Sequence, residues 1–301
     1  MQPRRVNRRT ALPARNSGRI QSGRFLIRSH AGAKRKQGIR TQVQASDEYI
    51  DIMLLRALPT LPSLLTARLA SRCAVCHSWP GGPVCAPCMA RFGQARQRCH
   101  RCALTTVADA DQARLLCSRC RREPFGLDAC FAALPYAFPW SGLVARYKFA
   151  DQTGWTSFLA SLMLAQPGVR EALTELGPHD WLLPMPLSAE RLGWRGYNQA
   201  WELTHSLQKQ SRCPAKADSA LLLRTRHTRP QSELKRSERH DNVKGAFALE
   251  PLRAMHVAGR RVMLVDDVMT SGASLLAAAT ALRLAGAAEV SAIVLARTAP
   301  T

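Results

Sequence analysis

The sequence predicts an α/β fold: a mostly parallel sheet flanked by helices, preceded by a small cysteine-rich module. Three observations carry this. From about Phe131 onward, short apolar runs alternate with helical stretches, the pattern of strands covered by helices. Eight of the ten cysteines fall between positions 73 and 120. The segment VMLVDDVMTSGAS, from Val262, drives an apolar strand into two adjacent acids and then a run of small residues. Ligands in open α/β sheets sit beyond the carboxyl ends of strands, where such a segment would lie.

The chain has 301 residues and a formal net charge of +22. That length allows one sizeable core or two, and that charge points to a polyanion or a phosphate-rich ligand. The charge is concentrated in the first fifty residues, which hold twelve Lys and Arg against two acids. Residues 1–50 read as a basic disordered tail or an upstream extension. Met53 would then be a natural start, because residues 54–69 read as a first amphipathic helix. No run of about 18 uninterrupted apolar residues occurs, so no membrane span is predicted and a cytoplasmic chain is expected. Residues 275–288 come nearest, and they contain Arg283.

The cysteine region, within a module at 54–125, is built of four C-x-x-C turns: Cys73 and Cys76, Cys85 and Cys88, Cys99 and Cys102, Cys117 and Cys120. Each turn sets two thiolates at the bite of a tetrahedral Zn²⁺, and two turns close a site. Four turns make two structural sites, with consecutive pairing the natural choice and crossed pairing left open. Four thiolates leave no open metal position. Cys130 and Cys213 stand alone and read as packing residues. The module carries arginines, among them Arg91, Arg98, Arg119 and Arg122, that suit a nucleic-acid backbone or simply a solvated surface.

The remaining elements form a domain at 130–297. Residues 131–136, 180–185, 220–223, 246–249, 261–265 and 290–295 read as strands. Residues 140–149, 155–164, 197–208 and 271–285 read as helices. In the acid segment, Asp266 and Asp267 are natural acceptors for a sugar diol and natural neighbours of a Mg²⁺. Thr270, Ser271, Gly272, Ala273 and Ser274 form a small-residue turn. Its N–H groups and hydroxyls, at a helix start, suit a phosphate. Neither G-x-x-x-x-G-K-[ST] nor G-x-G-x-x-G is present. N-capping alone would explain one acid and one hydroxyl, not two acids and five small residues.

The segment from Val262 to Ser274 resembles the phosphoribosyl pyrophosphate (PRPP) binding motif of type I phosphoribosyltransferases. LLPMPLSAERLGWRGYNQA, RTRHTRPQSELKRSERHDNVKGAF and ARYKFAD, behind the cysteine pairs, resemble the ComF family, which includes GntX-like proteins. The resemblance covers residues 54–296. It implies a type I phosphoribosyltransferase-like sheet, a PRPP or ribose 5-phosphate ligand accompanied by Mg²⁺, and an association with DNA uptake in natural transformation. It also implies a pyrophosphate loop after Pro186 and Leu187, with Arg191, Arg195, Asn198 and Gln199 reaching phosphate oxygens. Gln231, Arg236, Arg239 and Asn242 would make closing contacts from a loop over the ligand. Lys148 is expected to snorkel along its helix rather than face the site.

Two readings follow. In one, the chain is a transferase in which a nitrogen nucleophile displaces pyrophosphate from PRPP. In the other, it is an accessory protein that uses the fold while handling single-stranded DNA, a DNA-uptake helicase or other competence proteins. Trp79, Trp194, Tyr197 and Trp201 are its candidate stacking residues. A zinc adaptor with no role for the acid pair is opposed by the intact acids and phosphate turn.

Overall fold

The computed structural model describes residues 71–79, 82–106, 115–149, 153–226 and 242–299. The basic tail, the helix expected at 54–69, and Gln231, Arg236 and Arg239 lie outside the described residues. The described residues belong to one compact unit.

Two short helices, α1 (Ala86–Phe92) and α2 (Ser118–Arg122), each follow a cysteine that serves as N-cap. The main elements are β1 (Cys130–Pro135), α3 (Trp140–Phe149), α4 (Thr156–Leu164), α5 (Val169–Thr174), β2 (Trp181–Pro184), α6 (Ala189–Arg195) and α7 (Gln199–Ser211). They continue with β3 (Lys216–Ala217), β4 (Leu222–Arg224), β5 (Phe247–Leu249), β6 (Arg261–Met269), α8 (Ala273–Leu284) and β7 (Glu289–Arg297). Five strands form a parallel sheet in the order β1-β7-β6-β2-β3.

Both sheet faces are buried, as a parallel sheet requires. Along β6, Val262 and Leu264 join one apolar cluster while Met263 and Val265 join the other. The first face is covered by Leu275, Ala278 and Leu282 of α8, together with Cys99, Cys102 and Cys120. The second is covered by α3, α4 and α7, through residues such as Leu143, Leu159 and Leu203, together with Cys73 and Cys88. The cysteine module thus contributes one half to each core layer.

Three expectations need correction. The apolar strand does not stop at the acid pair. It runs on to Met269, because β7 keeps pairing with it: Asp266 is in register with Val294 and Val268 with Ala296. The segments expected as strands at 220–223 and 246–249 do not join the parallel sheet; as β4 and β5 they form a separate antiparallel pair. The stretch expected as a loop after Pro186 and Leu187 contains a short helix, α6. Ser188 caps its start and Gly196, at φ +78°, ends it in the left-handed conformation that glycine adopts freely. The sequence also gave no sign of α5 or of the two-residue β3.

Candidate ligand cleft and metal centres

On its other side β6 loses its neighbour early. The last ladder bond to β2 runs from Met185 N–H to Val265 O at 2.8 Å. Pro186 then has no N–H to offer. The sheet therefore opens a notch beside Asp266 and Asp267. This is also the point where chain order diverges, β2 leading to β3 on one side and β6 to β7 on the other, the place where doubly wound sheets hold ligands. A cleft of about 590 Å³ lies there, lined by Asp266, Asp267, Thr270, Gly272 and Ser274. Arg191, Arg195 and Arg224 line it as well.

The repulsion between adjacent acids is offset in two ways. Successive strand residues depart on opposite sides, and each carboxylate has its own partner. Asp266 Oδ1 accepts the N–H of Asp267 at 2.8 Å. Asp267 Oδ1 meets Lys148 Nζ at 2.9 Å. Lys148 is therefore no snorkelling surface lysine: its side chain lines the cleft. The C-terminal turn of α3 aims it there, a placement that charge patterning in ARYKFAD did not disclose.

Burial, and then the charge of Asp267, push the Asp266 carboxyl up to about 7, against the pull of Lys148, the Asp267 N–H and Arg224. An acid that binds its proton more tightly when folded makes stability fall as pH rises, here from about 4 to about 7. Asp266→Asn is expected to flatten that stretch of the stability profile and to melt above the wild type at pH 8. Thermal melts across this range check it; an unchanged slope would place the titration elsewhere.

The turn itself is shaped by Gly272, at φ +86° and ψ 0°. Ser271 Oγ accepts the Ala273 N–H at 3.3 Å, and Ala273 is buried in the core, so neither side chain lines the cleft. Beneath the turn lies Arg297, 7% exposed. Its Nε donates to Cys102 O at 3.1 Å. Its Nη1 donates to Met269 O at 3.2 Å and to the carbonyls of Thr270 and Thr298. One guanidinium thus ties the second cysteine group to the base of the turn. Sequence reading missed Arg297, since an arginine closing an apolar strand reads as a strand end.

Arg191 and Arg195 stand at the cleft as expected. Arg195 also donates through Nη1 to Gln199 Oε1 at 2.8 Å, and burial lowers its pKa despite the nearby Asp267. Asn198 and Gln199 line the cleft too, and each also makes a structural bond. Asn198 caps α7 and donates to Met185 O at 3.1 Å, and Gln199 Nε2 donates to Lys148 O at 3.3 Å. Arg224, which the sequence reading passed over, is brought to the cleft by β4 and sits over the Phe247 ring, 5.5 Å from its centroid.

The eight thiols gather as two groups, Cys73, Cys76, Cys85 and Cys88, then Cys99, Cys102, Cys117 and Cys120, the sulfurs of each lying within 4.8 Å of one another. The pairing is consecutive. Cys76 and Cys85 sulfurs are 3.6 Å apart, as are those of Cys102 and Cys117. Tetrahedral zinc with Zn–S bonds of about 2.3 Å needs sulfurs roughly 3.8 Å apart. Burial works against ionisation of Cys73. The N–H groups of Cys76, Cys85 and Val75 outweigh it and bring the thiol down to about 6, toward the thiolate that a metal binds. Both groups fit structural zinc. Cys130 and Cys213 are buried and outside these groups. Arg98 turns inward, donating to Ala103 O at 3.0 Å, and is not part of a basic surface.

Residues 222–300 match the phosphoribosyl transferase domain. With the parallel sheet and the notch between β2 and β6, this defines the class of the chain: a protein with a phosphoribosyltransferase-type fold. The "DNA utilization protein YhgH" of Escherichia coli is 32% identical over 215 residues, 71% of this chain and 90% of that protein. The protein of the same name from Salmonella typhi is 31% identical over the same length. "Competence protein F" of Haemophilus influenzae is 32% identical over 174 residues, 58% of this chain and 75% of that protein. The chain belongs to the ComF family, with its phosphoribosyltransferase-like domain behind two four-cysteine groups. No helix among the described residues is long and apolar enough to cross a membrane.

Proposed function

We propose that the chain binds PRPP or a ribose 5-phosphate ligand in the cleft between β2 and β6, and that it serves DNA uptake or utilization. The observation that carries this is the meeting of an acid pair and a Gly272-centred turn in one cleft with arginines around it. In this reading Asp266 and Asp267 take the ribose hydroxyls, and residues 270–274 take the 5-phosphate. Arg191 and Arg195 face the pyrophosphate, and Arg236 and Arg239, which lie outside the described residues, are proposed to add closing contacts. Arginine suits forked contacts to phosphate oxygens.

Mg²⁺, were it bound with the pyrophosphate, would be held beside Asp266 and Asp267 and would supply further charge neutralisation. If turnover occurs, a nitrogen nucleophile attacks C1′, the C1′–O bond to pyrophosphate breaks, and the arginines stabilise the departing anion. The domain division at 54–125 and 130–297 belongs to the same proposal. So does a cytoplasmic location, where reducing conditions keep the cysteines available to zinc.

The relatives' names favour a second role in the same chain. Exposed Arg119, Arg121 and Arg122 on α2 suit a single-stranded DNA backbone, and a helicase or other competence protein would share that substrate. The test is calorimetric titration of PRPP with Mg²⁺ into the zinc-loaded protein, beside Asp266→Asn/Asp267→Asn. The expected result is wild-type binding and a loss of about 100-fold or more in the variant, since two charge-assisted contacts go. A folded wild type that binds no PRPP would leave DNA handling as the function.

A further inference from the structure

Three connections fix the C-terminal turn of α3 against the segment that follows α6. Tyr197 Oη donates to Tyr147 O at 2.5 Å, and Gln199 Nε2 donates to Lys148 O. The buried Tyr147 hydroxyl reaches Thr156 Oγ1 at 3.2 Å and Gln199 O at 3.3 Å. Gln199 is steadied in turn by Arg195. The segment RGYNQ therefore acts as a bracket, and what it holds in place is the backbone of Lys148. The lysine side chain is only 20% exposed and meets Asp267 at 2.9 Å inside the cleft.

Holding a long, flexible lysine this closely is costly in side-chain entropy, and an ion pair half-removed from water returns little net stability. The placement makes chemical sense if the ammonium has a second partner. An ammonium carries three N–H donors; Asp267 takes one, which leaves donors for an anion in the cleft. A divalent ion coordinating Asp267 would compete with Lys148 for the same carboxylate oxygen.

We infer that Lys148 is the resident cation of the ligand site, bridging Asp267 to a phosphate or pyrophosphate oxygen, so that a phosphoribosyl ligand is retained without a divalent metal. This rests on the phosphoribosyl reading and specifies how that site is neutralised. Lys148 is a binding residue here, and Tyr197 and Gln199 are positioning residues for it.

The test titrates PRPP and, separately, ribose 5-phosphate into the zinc-loaded full chain, with magnesium omitted and with millimolar magnesium. Wild type is expected to bind PRPP with affinities within about threefold of each other in the two conditions. Lys148→Met is expected to lose about 30-fold or more when magnesium is omitted, the cost of deleting one member of a partly buried charge pair, and to recover most of it with magnesium. Lys148→Arg keeps the charge and is expected to stay near wild type in both conditions.

Wild-type binding that collapses without magnesium overturns the inference while leaving the phosphoribosyl reading intact, and it decides the matter even if Lys148→Met fails to fold. A folded Lys148→Met that matches wild type without magnesium overturns it equally. Wild type that binds neither ligand in either condition removes the phosphoribosyl reading and this inference together.

Discussion

Gly272→Ala is expected to cost about 2–5 kcal/mol of stability and to abolish binding of a phosphoribosyl ligand. Two penalties add. At φ +86° an alanine is strained by its own Cβ. That Cβ would also stand 2.6 Å from Met269 Cε and 2.8 Å from Phe125 Cζ. The methionine tip can swing away, but Phe125 is an aromatic ring packed in the core with Cys99 and Cys120. The turn must therefore move, and with it the N–H groups of residues 270–274. Urea denaturation and PRPP titration measure the two effects. A Gly272→Ala variant that binds normally would show that the shape of the turn does not matter for the ligand.

The second large effect is expected at a distance from the cleft. Stripping metal from Cys99, Cys102, Cys117 and Cys120 should lower stability by several kcal/mol, since metal affinity is folding free energy in such groups. It should also weaken ligand binding about tenfold or more, although none of these cysteines lines the cleft. The connection is Arg297, whose guanidinium needs the Cys102 carbonyl on one side and those of Met269 and Thr270 on the other. Metal release followed with a chromogenic chelator, beside near-ultraviolet circular dichroism and PRPP titration, reads all three quantities. Arg297→Lys, which keeps the charge and loses the fork, is expected to weaken ligand binding while zinc stays bound. Full ligand affinity in that variant would disconnect the two sites.

Much of the fold was legible because its signals are local. The apolar run before Asp266 can only be a buried strand, and C-x-x-C turns declare their own geometry. The strand and helix expected at 261–265 and 271–285 appear as Arg261–Met269 and Ala273–Leu284. What escaped reading depends on contacts between distant segments. β6 continues through the acids because β7 pairs with it, which no property of VDDVM announces. Asn198 and Gln199, which the resemblance implied as phosphate contacts, do line the cleft, but the bonds their side-chain amides make to the Met185 and Lys148 backbone carbonyls were not legible in the sequence. Lys148 read as a surface residue because a helix sequence does not say what its last turn faces. Residues 220–223 and 246–249 have strand composition, but composition does not choose between joining a sheet and pairing with each other.

The position of β1 in the sheet bears on how the protein comes into being. β1 follows directly on both cysteine groups, yet its ladder partner among the described residues is β7, with Cys130 in register with Ala292. A growing chain therefore exposes the cysteine module and β1 well before the strand they must lie against exists. Pairings so far apart in sequence form slowly and leave apolar edges open meanwhile. The cysteine groups are the part of the chain that can fold early, because a metal ion supplies locally what the sheet cannot yet provide. Zinc captured during synthesis would then serve as a foundation laid first, on which the central strands are later assembled.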